Sequence, residues 1–264
     1  MFEFHRDRDR YFEIQWLNAR QHVVPFVERS LPLAPGARVL EIGCGEGGVL
    51  KAFQERGCKG VGVELDTTRV HDAHRLLADL IRDGSIRIVA KDIYQVDIEK
   101  ELDGPFDLIL LKDVIEHIHD QPKLIGWMKK FLKPGGMIFF GFPPWQMPFG
   151  GHQQICRSRL SRLPYIHLLP RFLYRTLLTW KKEPVADLME IRDTRLSIER
   201  FERICRSEGY QIAAAQHYLL NPIYAWKFGW KARKQFSWLK GIPYLRNYLT
   251  TCVYYLIKPN PTVA

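Results

Sequence analysis

Glu41, Gly43, Gly45 and Gly47 stand at alternating positions directly after the apolar run Arg38-Val39-Leu40, and Gly48 follows. Glycines at that density let the backbone turn through positive φ and let a ligand lie against the main chain. From Val49 the pattern turns helical, so the amides opening that helix are free to bond an anionic or polar group. A strand, a glycine turn and a helix in that order describe a nucleotide-type cofactor site in an α/β protein. Further acids end later apolar runs: Glu64 closes Val61-Gly62-Val63, and Asp92, followed by Ile93, closes Ile86 to Lys91. Lys112, Asp113, Glu116 and His117 close Phe106 to Leu111, and His152 lies in a proline- and glycine-punctuated loop beyond Phe142.

Two cofactors compete for the glycine turn. Gly43, Gly45 and Gly48 satisfy the dinucleotide fingerprint G-x-G-x-x-G, which alone is a weak signal. Glu41, Gly43, Gly45 and Gly47 also satisfy E-x-G-x-G-x-G, and this form resembles motif I of the class I S-adenosylmethionine (SAM) methyltransferases. Glu64, twenty-one residues after Gly43, suits a ribose diol in either kind of site. The stretches Ile86 to Ile93, Phe106 to Ile118 and Leu132 to Phe140 resemble the family's third strand, its fourth strand with the next helix, and its turn into strand five. Five matches in order favour SAM, over residues 20 to 142 and more loosely 196 to 258. The segment D-V-I-E-H-I is most similar to the ubiquinone-biosynthesis O-methyltransferases and their relatives.

That resemblance implies a SAM site made by Arg20, Glu41, Gly43, Gly45, Gly47, Glu64, the Asp92-Ile93 edge and Lys112. Glu41 would meet the ammonium side of the ligand, Glu64 the ribose and Asp92 the adenine. Lys112 departs from the apolar residue usual at its place, so its backbone is the expected contact. Some relatives hold a divalent metal with E-x-x-E-H and a later histidine, which here would mean Asp113, Glu116, His117 and His152. The opposing reading makes Asp113 a helix N-cap with Glu116 at the third position and packs His117 beside strand five. No metal is the reading adopted, because nothing else in the sequence demands one.

Methyl transfer from a sulfonium is an in-line displacement on an activated carbon. The protein mainly has to hold the acceptor aligned, which contributes about 7–11 kcal/mol. A hydroxyl acceptor also needs a base. His152 is the leading candidate and His117 the second, histidine's pKa suiting the task. The function expected is methylation of a small or lipid-like acceptor, at oxygen; an RNA methyltransferase and a non-catalytic SAM-binding protein are the rivals.

The chain has 264 residues, enough for one domain with insertions. Five scattered cysteines without C-x-x-C pairs point to a reduced, cytoplasmic protein without structural zinc. Met1 to Arg10 is too charged for a secretory signal, and no apolar run is long enough to span a membrane. Residues 1–150 carry 20 Lys/Arg against 22 Asp/Glu, whereas residues 151–264 carry 19 against 7. After Glu208 there is no acid, and Trp226, Phe228, Trp230, Phe236 and Trp238 interleave with Lys227, Lys231, Arg233, Lys234 and Lys240. This half should face something anionic. A bilayer surface carrying a hydrophobic acceptor is favoured over nucleic acid, with Trp226, Trp230 and Trp238 sharing a helix face.

The fold expected is α/β: a seven-stranded, mostly parallel Rossmann-like sheet with helical lid insertions, as one methyltransferase domain over 1–264. Residues 7–37 form an N-terminal helix over the cofactor, with Tyr11 or Trp16 able to cover it, and 38–142 the SAM-binding core. Residues 143–195 form a substrate lid. Residues 196–264 hold a helix capped by Ser197, the last two strands and, at 221–249, a basic aromatic insertion.

Overall fold

Short runs of β-branched and aromatic residues separated by helical stretches build the sheet of the computed structural model, which describes residues 7–261. The reading of Met1 to Arg10 falls mostly outside these residues. The strands are β1 (Arg38–Ile42), β2 (Lys59–Glu64), β3 (Ile86–Ala90), β4 (Phe106–Lys112), β5 (Leu132–Phe142), β6 (Tyr210–Leu220), β7 (Arg233–Lys234) and β8 (Cys252–Pro259). They form one sheet in the order β3-β2-β1-β4-β5-β8-β6-β7. The first five are parallel, and β8 inserts antiparallel between β5 and β6.

Strands covered on both faces read as nearly continuous apolar runs. Leu40, Ile42, Val61, Val63, Ile109, Leu111, Ile138 and Phe140 belong to one core. Val39, Leu108, Leu110 and Phe139, which alternate with them, belong to the other. The strand order reverses between β1 and β4, and ligands of open α/β sheets bind at the carboxyl ends beside such a point.

The sheet has eight strands, one more than the sequence reading. The extra one is β7, two exposed residues paired on the outer edge of β6. It exists because the insertion after β6 doubles back: the helix Tyr224–Phe228 ends at Gly229 in the left-handed region, φ 73°. The returning Arg233 and Lys234 then occupy part of β6's open edge with charged side chains. This break also corrects the expected tryptophan stripe. Trp226 packs edge-on against His22, with ring centroids 5.9 Å apart, whereas Trp230 and Trp238 lie beyond the helix and are exposed.

The N-terminal segment is helical from Arg8 to Glu28, with a π-helical turn at Ala19–Val23. After β4 the expected helix is a single 3-10 turn, Ile115–His117, and the true helix begins at Gln121. Residues 143–195 fold as short turns and the helices Arg171–Trp180 and Val185–Thr194. Cys156, Leu160, Tyr174, Leu178, Leu188 and Met189 form a small separate core there. Ser197 caps the helix Ile198–Ser207, its hydroxyl accepting from the Arg200 amide at 3.1 Å. No helix among the described residues is long and apolar enough to cross a membrane, and all five cysteines are free and buried.

Candidate active site

The glycine loop leaves β1 with Gly43 at φ 68° and enters the helix Gly48–Gln54 through Gly47 at φ 83°. A side chain at Gly43 would meet Val114 at 2.7 Å, so the loop can pass the end of β4 only without one. The loop's amides are largely used internally. Those of Gly43 and Cys44 donate to the Val63 carbonyl, and that of Gly47 donates to Cys44. The Gly45 amide donates to Glu64 Oε2 at 2.8 Å. Gly43 and Gly45 therefore offer a bare surface to a ligand, not spare donors.

Glu64 is fixed from both sides, since its Oε1 accepts from the Leu65 and Asp66 amides at 2.8 and 2.9 Å. This arrangement ties the end of β2 to the loop after β1. Glu41 is 2% exposed, and its Oε2 has no hydrogen-bond partner among the described residues. Burial raises its carboxyl pKa well above the usual range, with Lys112 and the Leu50 amide pulling the other way. A buried carboxylate oxygen without a donor, at the wall of a cavity, fits a ligand that brings a cationic group.

These residues open on a cavity of about 890 Å³ at the carboxyl ends of the strands. Glu41, Gly43, Gly45, Glu64, Asp92, Ile93, Lys112, His117 and His152 all line it. Asp92 caps the turn Ile93–Gln95, accepting from the Tyr94 amide at 3.0 Å. Two expected residues do not reach it. Arg20 lies within the π-helical turn, points outward and stands 3.8 Å from Glu55 with its side chain 61% exposed. Gly47 faces Leu77, where a Cβ would come within 2.4 Å, so its service is the turn and the packing behind the loop. Tyr11 lines the cavity, accepting from Gln15 Nε2 at 2.9 Å, whereas Trp16 packs on the Lys51 ammonium instead.

Asp113 takes the left-handed region, φ 56°, with its amide donating to the Gly141 carbonyl at 2.7 Å. It caps no helix; its carboxylate pairs with Lys112. Burial pushes its carboxyl up, but Lys112 outweighs that and holds it below the usual value. Burial would lower the Lys112 ammonium, and Asp113 overrides this and holds it up. Glu116 is raised well above the carboxylate range by burial and then by Asp113.

His117 and His152 come together across the cavity, ring centroids 5.0 Å apart. Burial holds His117 below the ordinary imidazole pKa. One ligand atom each from Glu116, His117 and His152 lies within 4.8 Å of the others. Two imidazoles and a carboxylate whose Oε2 lacks a hydrogen-bond partner among the described residues form a donor set that fits a divalent transition metal or manganese. Asp113, expected in that set, is held away from it by Lys112. His152 adopts φ 54° on a loop secured by His167. His167 Nε2 bonds the Trp145 carbonyl and its Nδ1 bonds Gln153 Nε2, each at 2.8 Å.

The sequence reading missed Arg8, Arg69, Lys91 and Tyr224 on the cavity wall, and noted Lys227 only within a basic run. Arg8 pairs with Glu46 at 2.8 Å. Arg8 and Tyr224 reach the cavity through packing of distant segments, which no spacing rule marks, whereas Lys91 stands directly before Asp92.

The chain matches the family described as "Methyltransferase domain" over residues 15–167. It is 30% identical over 117 residues to a ubiquinone biosynthesis O-methyltransferase of Chromobacterium violaceum, covering 44% of this chain and 47% of that protein. A protein of the same name from Neisseria meningitidis is 26% identical over 207 residues, 72% of this chain and 71% of the relative. The match thus spans about half the length of the Chromobacterium relative and more of the Neisseria one. A solved S-adenosylmethionine-dependent methyltransferase of Clostridium acetobutylicum shares the fold with a TM-score of 0.58 at 13% identity, covering 93% of this chain and 92% of its own. The family match spans more than half of the chain, and the sheet order and glycine loop agree with it: the chain belongs to the methyltransferase-domain family, among the class I SAM-dependent methyltransferases.

Proposed function

We propose that the protein moves the methyl group of SAM to an oxygen of a small or lipid-like hydrophobic acceptor, in one catalytic unit, at an anionic bilayer surface. One observation carries the chemistry: a single cavity joins the Glu41 to Gly48 loop and Glu64 to the paired imidazoles of His117 and His152. Glu41 meets the cationic end of the cofactor, Glu64 the ribose, and the Asp92-Ile93 edge the adenine. The acceptor oxygen attacks the methyl carbon, the carbon–sulfur electrons pass to sulfur, and an imidazole takes the oxygen's proton. A divalent cation, when bound, would be held by Glu116, His117 and His152, and as a Lewis acid toward an acceptor oxygen it would let that oxygen's proton pass to water instead of to an imidazole. The names of the relatives support oxygen as the atom methylated.

The bilayer part rests on surface chemistry. Leu65 and Phe149 apart, the large apolar side chains exposed among the described residues lie between Leu163 and Leu249, within the half of excess positive charge. Phe172 and Trp180 on the first insertion, and Trp230 and Trp238 on the second, are each more than half exposed. Exposed tryptophans among lysines suit an interface of headgroups and acyl chains. Turnover of radiolabelled SAM with phenols, quinone precursors and lipid extracts tests the proposal. Transfer to an extractable hydrophobic product is expected, and SAM binding without transfer to any of them would leave a SAM-binding protein.

A further inference from the structure

Two buried groups of opposite charge stand side by side at the carboxyl end of the sheet, each with hydrogen-bonding capacity left over. Side chains alternate between the two faces of a strand. Val39, Leu108 and Leu110 pack into one core, so Glu41, two residues after Val39, and Lys112, two after Leu110, point to that same face. Their strands are neighbours, with Glu41 level with Leu110. Lys112 therefore lies one diagonal step beyond Glu41, and both line the cavity. Glu41 Oε2 has no donor among the described residues. A lysine ammonium has three protons to donate. Asp113 is the one acceptor that Lys112 has among the described residues, although its side chain is only 4% exposed. Arg8, Arg69 and Lys91, also on the wall, keep part of their side chains in solvent and stand by Glu46, Asp66 and Glu101. Arg20 faces away.

A buried acceptor short of a donor, beside a buried donor short of acceptors, matches a ligand group that carries an ammonium and a carboxylate together. We infer that the Lys112 side chain holds the methionine carboxylate of SAM while Glu41 takes its ammonium, so that a lysine at the end of β4 makes the cationic contact in place of Arg20. Resting on the SAM placement proposed above, this role needs the side chain of Lys112, where the resemblance called only for its backbone. The zwitterion adds no net charge to the wall, and Lys112 keeps Asp113 while it accepts a second anionic partner.

Calorimetry on the full chain tests it with three nucleosides. S-adenosylhomocysteine carries the whole amino acid, its decarboxylated analogue keeps the ammonium alone, and methylthioadenosine lacks both groups. A charge-assisted hydrogen bond predicts that the wild type binds S-adenosylhomocysteine about ten-fold or more tighter than the decarboxylated analogue. In Lys112→Met that preference should shrink to within about two-fold, while methylthioadenosine, whose binding also reports folding, should bind as to the wild type. Because that substitution leaves Asp113 buried without its partner, the double variant Lys112→Met with Asp113→Asn is measured beside it, and the preference should be lost there too. Equal wild-type affinity for S-adenosylhomocysteine and its decarboxylated analogue overturns the inference. So does a preference that survives in either variant, since another cation would then hold the carboxylate. A wild type that binds none of the three nucleosides overturns the SAM placement itself.

Discussion

At the end of β4 a left-handed aspartate, a buried lysine and a buried glutamate follow within five residues, and each has a distinct electrostatic state. Lys112 holds Asp113 ionised, and Asp113 in turn disfavours a second charge on Glu116. His117, held below the ordinary imidazole pKa by burial, is neutral near pH 7 and able to accept a proton. If His117 is the base, activity should fall as pH drops through its lowered pKa, and stay level from there to neutrality. Replacing both His117 and His152 by Asn should lower kcat by roughly 10²–10⁴-fold. Cofactor affinity should stay within about two-fold, because neither imidazole is among the groups assigned to it. A rate unchanged in that double variant removes the histidines from the chemistry. These groups line the cavity, but Asp113 serves neither as the helix cap nor in the metal set that the sequence offered. A D-x-x-E spacing satisfies a capping box equally well, and only the fold shows that no helix starts there.

Elements were legible in proportion to how local their causes are. The strands β1 to β5 follow from apolar runs ending in acids or turns, and their boundaries fell close to the expected ones. The helix carrying Arg20 was also legible, but its facing was not, since the π-helical turn at Ala19–Val23 changes the register that a regular helix would give. Likewise Gly229 ends a helix that periodicity alone would extend through Trp238. What remains of the basic aromatic insertion is a set of short pieces with Trp230 and Trp238 exposed and Lys231, Arg233 and Lys234 around β7. Basic residues near an anionic bilayer contribute about 1 kcal/mol each. Neutralising those three together should therefore weaken binding to phosphatidylglycerol vesicles by on the order of a hundred-fold. Nucleoside binding should not change. Wild-type protein that fails to sediment with such vesicles would end the bilayer proposal.

Across the whole molecule, two buried histidines couple stability to pH. His167 secures the loop of His152, and His217 meets the Tyr255 hydroxyl at 3.1 Å within the last strands. Burial lowers both to about 4. Between pH 4 and 6.5 the unfolded chain, with ordinary imidazoles, binds more protons than the folded one, so stability falls as pH falls through that window. Each would withdraw up to about 3 kcal/mol by pH 4. Thermal unfolding should show a lower Tm at pH 5 than at pH 7, and His217→Gln should flatten part of that slope; a Tm level from pH 7 to 5 contradicts the prediction.

The chemistry of the whole molecule depends first on cofactor binding. Calorimetry of the wild-type chain should show S-adenosylhomocysteine binding with one site and no heat with NAD. Glu64→Ala, which removes both the ribose partner and the brace of the Gly45 amide, should weaken that binding at least ten-fold, as the loss of charged hydrogen bonds worth about 1.5–3 kcal/mol each requires. Binding of NAD in place of the nucleoside, or nucleoside affinity unchanged by Glu64→Ala, would contradict it.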